Sequence, residues 1–274
     1  MSNFEAKRLA PSSWVIPGPT NIGIINNGNK VILIDSGNDK ESGRKIRKLI
    51  DEKGWKIEGI INTHSNADHI GGNDYLQRIT GCRIYATRAE RAFIETPIIE
   101  SSFLWGGFPN RELMNKFFVA APSTVTEVID ENSSFGEYNI SIFDIPGHFF
   151  EMIGVLTEDK VAYLGDCIFD IQILDKYKIP FVYNVKAYKE TIEKIRKIKA
   201  DYYVMSHGEV TSDIENIAIY NIQLIEKIEN LILELLKVPK TFEKTLKAVC
   251  DFMDIKLNCP QYALIGSTIR SFLT

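Results

Sequence analysis

The sequence predicts an α/β fold in which two sheets pack face to face with helices on the outer faces, followed by a C-terminal helical extension. Three observations predict it. Strand-like and helix-like stretches alternate through the first half, the second half repeats that style, and from about Asp213 onward the pattern is helical only. Two strand-rich halves, each flanked by helices, bury their sheets against one another and leave the outer faces to helices. Residues 1–212 are expected to form the main domain and 213–274 a helical extension. Strand order and handedness stay open at this level.

The elements follow in order. "NIGIIN" and "KVILID" flank Asn27-Gly28-Asn29, a hairpin signal because Asn and Gly tolerate positive φ. Ile46, Leu49 and Ile50 then share one helical face, and Gly54 is placed to stop that helix. The apolar run "IEGIINT" leads into "HSNADHIGGN", and a strand ending in a polar cluster suits a site on loops at the strand ends. "NDYLQRITG" reads as a short helix closed by Gly81, and "RIYAT" as a strand. The segment from about Pro97 to Pro122 reads as irregular and aromatic, with Phe103, Trp105, Phe108, Phe117 and Phe118. Such a loop either covers core edges or faces substrate as a lid. In the second half "YNISIFDIPGH", "VAYLGDCIF" and "YYVMSHGE" read as strands. Val185, Tyr188, Ile192, Ile195 and Ile198 mark the helix before the last of these.

In the tail, Ile214, Ile217, Leu224, Ile228, Leu231 and Leu235 form one stripe, broken at Asn221; Ile222, Ile225, Ile232 and Leu236 form another. Apolar residues over so much of the circumference imply burial on two sides, against the main domain or a second subunit. A homodimer through these helices is therefore expected. Pro239 closes the helix, and two more helical segments follow, Thr241 to Met253 and from Pro260 on.

Composition narrows the partners. With 45% hydrophobic and 25% charged residues the chain reads as an ordinary soluble globular protein. A net charge of −4, and a tail from Asp213 with seven Lys/Arg against eight Asp/Glu, lack the basic face of a nucleic-acid binder. No apolar run approaches the ~20 residues needed to span a bilayer, and "MSNFEAKRLAPSSW" lacks the apolar core of a secretory signal. Cys82, Cys167, Cys250 and Cys259 are scattered, without metal-pair or disulfide spacing, which fits reduced thiols in the cytoplasm. The expected partner is a small-molecule substrate.

The chain has four histidines, His64, His69, His148 and His207, and each follows the end of an expected strand beside Gly, Asp or Asn. A lone histidine there is ordinarily a hydrogen-bonded surface residue. Four of four at equivalent places point to one metal site, since imidazole is a common ligand for zinc and iron. Asp68 and Asp166 lie in the same settings, and Asp166 is a candidate bridge between two cations.

These residues resemble the metallo-β-lactamase-fold superfamily, in particular its glyoxalase II-like hydrolases. The family's H-x-H-x-D-H motif is matched by His64-Ser65-Asn66-Ala67-Asp68-His69, followed by Ile70-Gly71-Gly72. Its P-G-H, G-D and H-G segments are matched by Pro146-Gly147-His148, Gly165-Asp166 and His207-Gly208, and the opening strand pair by "NIGIINNGNKVILIDSG" with Asp35 and Gly37. The resemblance covers roughly residues 13 to 210 and implies a four-layer αββα sandwich with the metals at one edge. It puts His64, position 66 and His148 on a first metal, Asp68, His69 and His207 on a second, and Asp166 between them. Asn66 stands where the family has a histidine. An amide oxygen is a hard, neutral donor and a poor zinc ligand. The second half of the site is thus expected to fill first, and the first to be weak, empty or taken by iron or manganese. The alternative is that Asn66 coordinates through its oxygen or a bridging water and both halves fill.

The activity implied is hydrolysis of a small ester or thioester by water that one or two zinc ions activate, with Asp68 orienting that water. Cys167 reads as a small buried neighbour of Asp166. Two other classes stay open: an iron-dependent redox enzyme, persulfide dioxygenase-like or diiron, and a metal-binding protein whose catalysis weakened with Asn66.

Overall fold

The computed structural model describes residues 4–274. Among these, one sheet runs in chain order: β1 (Lys7–Arg8), β2 (Ser13–Ile16), β3 (Ile22–Asn27), β4 (Lys30–Ile34), β5 (Lys56–Ile61), β6 (Arg83–Ala86) and β7 (Glu127–Val128). Pairing is antiparallel from β1 to β4 and parallel from β4 to β7. In the second sheet β8 (Ile140–Asp144), β9 (Ile153–Thr157) and β10 (Val161–Gly165) pair antiparallel, and β11 (Tyr202–Met205) joins β10 in parallel.

Side-chain alternation fixes the layers. In β4, Ile32 and Ile34 face the second sheet, packing with Ile61, Val155, Val161, Tyr163 and Val204. Val31 and Leu33 face the other way, onto Ile46, Leu49 and Ile50 of α1 (Lys40–Glu52) and Leu76, which follows α2 (Ala67–Ile70) and lies in α3 (Asn73–Thr80). A strand buried on both faces needs a cover on each side, and each fully buried aliphatic side chain contributes about 1.5–3 kcal/mol. The second sheet does the same in mirror order. Ala162, Leu164, Tyr203 and Met205 turn outward onto a layer of helices. Four layers result, helix, sheet, sheet, helix, as the resemblance implied.

α4 (Arg88–Glu95) adds Ile94 to the first helical layer, and α5 (Ile98–Trp105) packs beside α4 and on the C-terminal helical segment. The second layer comprises α6 (Ile171–Tyr177), α7 (Val185–Ile195) and α8 (Glu215–Leu235). α8 buries Ile217, Ala218 and Ile225 against α7, while its Ile228 and Ile232 pack with α9 (Phe242–Phe252) and α10 (Cys259–Phe272). Burial on two sides is thus met within the chain. No helix among the described residues is long and apolar enough to cross a membrane.

One expectation is corrected. Residues 97–122 are not irregular throughout: Ile98–Trp105 is the helix α5, and Arg111–Leu113 a 3-10 turn. α5 lacks one apolar stripe because it is held on several sides, through Leu104 beside Leu113 and Phe118, and through Ser101 Oγ, which donates to Leu113 O across 2.6 Å. Phe103 covers the core edge, whereas Phe108 and Phe117 are solvent-exposed.

Strand direction sets where the site lies. β4 and β5 run parallel and deliver their C-terminal ends to one edge of the first sheet. β8 and β10 are each antiparallel to β9, and β11 follows β10, so those three also end together. Ile153 N donates to Thr63 O across 3.0 Å, joining the two edges. The segments carrying His64, His148, Asp166 and His207 all emerge there.

Candidate metal centre

His64 sits just past β5, and the chain then turns at Asn66 into α2, which carries Asp68 and His69. His148 and Asp166 each follow a glycine with positive φ, Gly147 at +130° and Gly165 at +55°. A Cβ on Gly147 would lie 2.5 Å from the Tyr188 backbone, and one on Gly165 would lie 2.9 Å from Thr63 Oγ1. Both glycines let the chain turn sharply against a neighbour and aim the next side chain at the edge.

The hydrogen bonds fix all four imidazoles in the same sense. A carbonyl or carboxylate oxygen only accepts, so the ring nitrogen facing it carries the proton. His148 Nδ1 donates to Phe181 O at 2.9 Å, His207 Nδ1 to Pro19 O at 2.6 Å, and His69 Nδ1 to Asp35 Oδ2 at 2.8 Å. The Thr63 hydroxyl gives its proton to Asp35 Oδ2 at 2.8 Å and so accepts from His64 Nδ1 at 3.0 Å. Every ring therefore presents Nε2. The four Nε2 atoms fall into two groups that share one edge: His64, His148 and Asp166 in one, Asp68, His69 and His207 in the other, with donor atoms within 4.8 Å of each other inside each group. Asp166 links them, its Oδ2 lying 3.7 Å from His148 Nε2 and 3.3 Å from His207 Nε2, and its Oδ1 3.5 Å from His69 Nε2.

The donor set fits a divalent cation. His64 Nε2, His69 Nε2 and Asp166 Oδ1 are buried without a hydrogen-bond partner, and such atoms are costly to leave unsatisfied. The electrostatics agree. Burial and the neighbouring His69 hold His64 well below the usual imidazole value, and burial likewise lowers His148. His69 is driven well above it against its burial, by Asp68, Asp166 and Asp35, and His207 is pushed up to about 12 against its burial, chiefly by Asp166. Asp166 and Asp68 stay ionised despite burial, Asp166 held well below the carboxylate range mainly by His207 and His69, and Asp68 lowered mainly by His69. Two buried carboxylates demand positive charge here.

Asn66 joins the first group. Its Oδ1 lies 2.8 Å from His148 Nε2, while its Nδ2 donates to Glu100 Oε1 at 2.6 Å. Glu100 comes from α5, is buried, and is pushed well above the usual carboxyl value by that burial. Ser65 is held by Glu90 of α4, whose Oε2 accepts from Ser65 N at 2.9 Å and Ser65 Oγ at 2.6 Å. Asp68 Oδ2 accepts from Thr20 Oγ1 at 3.1 Å and lies 3.2 Å from His207 Nε2. Asn21 ties the same segment to His207, donating to Met205 O at 2.9 Å and Gly208 O at 2.8 Å. Cys167 is buried in the core, and its thiol is pushed well above the ordinary value by that burial.

All seven residues expected from the sequence, His64, Asn66, Asp68, His69, His148, Asp166 and His207, are thus brought to one edge. Glu100, Glu90, Thr63 and Asn21 are additions from the structure. Asp35, at the end of β4 before Ser36-Gly37, shows the strand-end signature of the others; Glu100 carries no local signal.

A sandwich with such side chains gathered where both sheets end is built like the metallo-beta-lactamase superfamily. The chain belongs to that superfamily, whose family profile matches residues 15–207. Among curated proteins it is similar to the hydroxyacylglutathione hydrolase of Maricaulis maris, 29% identical over 43% of this chain and 37% of the relative. The hydroxyacylglutathione hydrolase of Methylococcus capsulatus is 26% identical over 45% and 39%. These alignments span well under half of either relative. Among solved structures, a metallo-beta-lactamase family protein from Thermus thermophilus superposes with TM-score 0.77 at 15% identity, covering 97% of this chain and 93% of that one. A beta-lactamase domain protein from Burkholderia ambifaria gives 0.75 at 16%, covering 99% and 87%. At these identities the structures speak to the fold.

Proposed function

We propose that the protein is a metal-dependent hydrolase of small esters or thioesters, with zinc in one or both halves of the site. The observation that carries the reading is the convergence of four Nε2 atoms, each freed by an Nδ1 hydrogen bond, around Asp166. A bound divalent cation supplies hydroxide at neutral pH, lowering the pKa of water from about 15.7 to around 7, and polarises the carbonyl under attack. The protein does the rest. Asp68, fixed by Thr20 and His207, orients the attacking water. Phe181 lies 5.2 Å from the His148 ring, and Phe103, Phe150 and Tyr183 pack edge to face and in a stack beyond it. We read these rings as a candidate apolar wall for an acyl group. A thioester is favoured because the relatives named above are hydroxyacylglutathione hydrolases.

The test is thioester hydrolysis by zinc-loaded protein. Activity is expected to vanish with chelator, to return with zinc, and to fall at least 100-fold in His69→Ala. Full activity in metal-stripped protein removes the reading. The oxygen donor at position 66 favours a second reading, iron chemistry, for which elemental analysis showing iron and substrate-dependent oxygen uptake are the signature. Weakened catalysis is separated by Asn66→His: a large gain over an inactive parent supports it.

A further inference from the structure

We infer that Glu100 is a positioning residue that makes Asn66 an oxygen donor to the cation held by His64 and His148. The inference rests on the metal-centre reading above and extends it to a residue from another element.

An amide can turn either end toward its neighbour, and here the NH2 end is turned to Glu100. Asn66 Nδ2 donates to Glu100 Oε1 across 2.6 Å. The other end, Oδ1, is then 2.8 Å from His148 Nε2. That nitrogen presents a lone pair, because the ring proton sits on Nδ1 and goes to Phe181 O. Two lone pairs facing each other repel unless a cation takes both. Were Asn66 only a hydrogen-bond partner of His148, its NH2 would face the ring and its oxygen would face Glu100. With Nδ2 on Glu100 Oε1 and Oδ1 on the ring, the structure holds the opposite arrangement.

Glu100 is also costly where it is. The residue is 5% exposed, and its one side-chain hydrogen bond is the one to Asn66. An apolar residue of similar size would suit such a site better for stability alone. Its helix is fixed by the Ser101–Leu113 bond and by packing on α10, so the carboxyl is held at a set place. Partners of this kind, one bond removed from the cation, typically change metal affinity about 10–100-fold.

The probe is Mn2+, a cation suited to oxygen donors, titrated into metal-stripped protein and followed by calorimetry and by the paramagnetic signal of free Mn2+. The parent is expected to bind two equivalents. Glu100→Leu keeps the equivalent held by Asp68, His69 and His207 and weakens the other by roughly tenfold or more. Glu100→Gln, which keeps an acceptor oxygen, stays within about threefold of the parent. Asn66→Leu weakens the same equivalent, and Glu100→Leu added to it weakens binding no further, since both act through one oxygen. That pattern supports the inference even if the parent cleaves no thioester. Parent-like binding in Glu100→Leu, or a parent that takes a single equivalent, overturns it. Should Glu100→Leu not fold, two equivalents of parent-like affinity in Asn66→Leu overturn it instead.

Discussion

Asp35 shows how much a single residue can hold at this edge. Its backbone lies in the left-handed region, at φ +64°, yet the side chain is buried and serves three donors: Thr63 N, Thr63 Oγ1 and His69 Nδ1. Asp and Asn tolerate that conformation better than other non-glycine residues, so Asp35→Asn is the informative change. It removes one acceptor and the charge beside His69. Affinity for the cation held by His69 is expected to fall about 10–100-fold by calorimetry, with little change in helix content. Glu90 makes a pH-dependent prediction. Burial raises its carboxyl from 4.5 to about 7, against the Ser65 and Glu151 hydrogen bonds that favour ionisation. A raised folded-state value means its stabilising contribution is complete below about pH 4.5 and is lost as pH climbs through about 7. Between pH 5 and pH 8 that is about 2–3 kcal/mol. Glu90→Gln is expected to flatten this slope in urea unfolding of metal-free protein; identical slopes would refute the assignment.

At the scale of elements, α8 does more than cover a sheet. Asn221, where the apolar stripe breaks, is buried and accepts from Phe169 N at 3.1 Å and Tyr188 Oη at 2.8 Å while donating to Phe169 O at 2.8 Å. It ties the segment just after Asp166 to α7. Asn221→Leu keeps the volume but strands those buried partners, so unfolding free energy should drop by about 2–4 kcal/mol, read by urea titration. The break at Asn221 was visible in the stripe; its partners, 33 and 52 residues away, were not. Likewise α5 was hidden because its eight residues contact several surfaces and show no single apolar face. Helices with one buried side, such as α1 and α7, announce themselves by period.

For the whole molecule, the homodimer expected through the C-terminal helices rested on burial from two sides. α9 and α10 provide the second side within the chain. The dimer is a proposal carried by Leu233, Val238 and Phe252, which stand 61%, 64% and 64% exposed on or beside those helices. Light scattering at micromolar concentration is expected to give twice the chain mass; monomer mass throughout would remove it. The division at residue 213 is likewise a proposal, because Ile214, Ile217 and Ala218 share one core with α7.

The sequence alone determined the layered α/β architecture and pointed to the seven residues that the structure gathers at one edge. Strand period and strand-end chemistry are local patterns, and four histidines leave few combinations. Only the tertiary structure brought Asp35, Phe181 and Pro19 to the imidazoles and Glu100 to Asn66. Those pairings depend on which acceptor stands across a gap of about 3 Å, and such neighbours come from elements that the chain order keeps far apart.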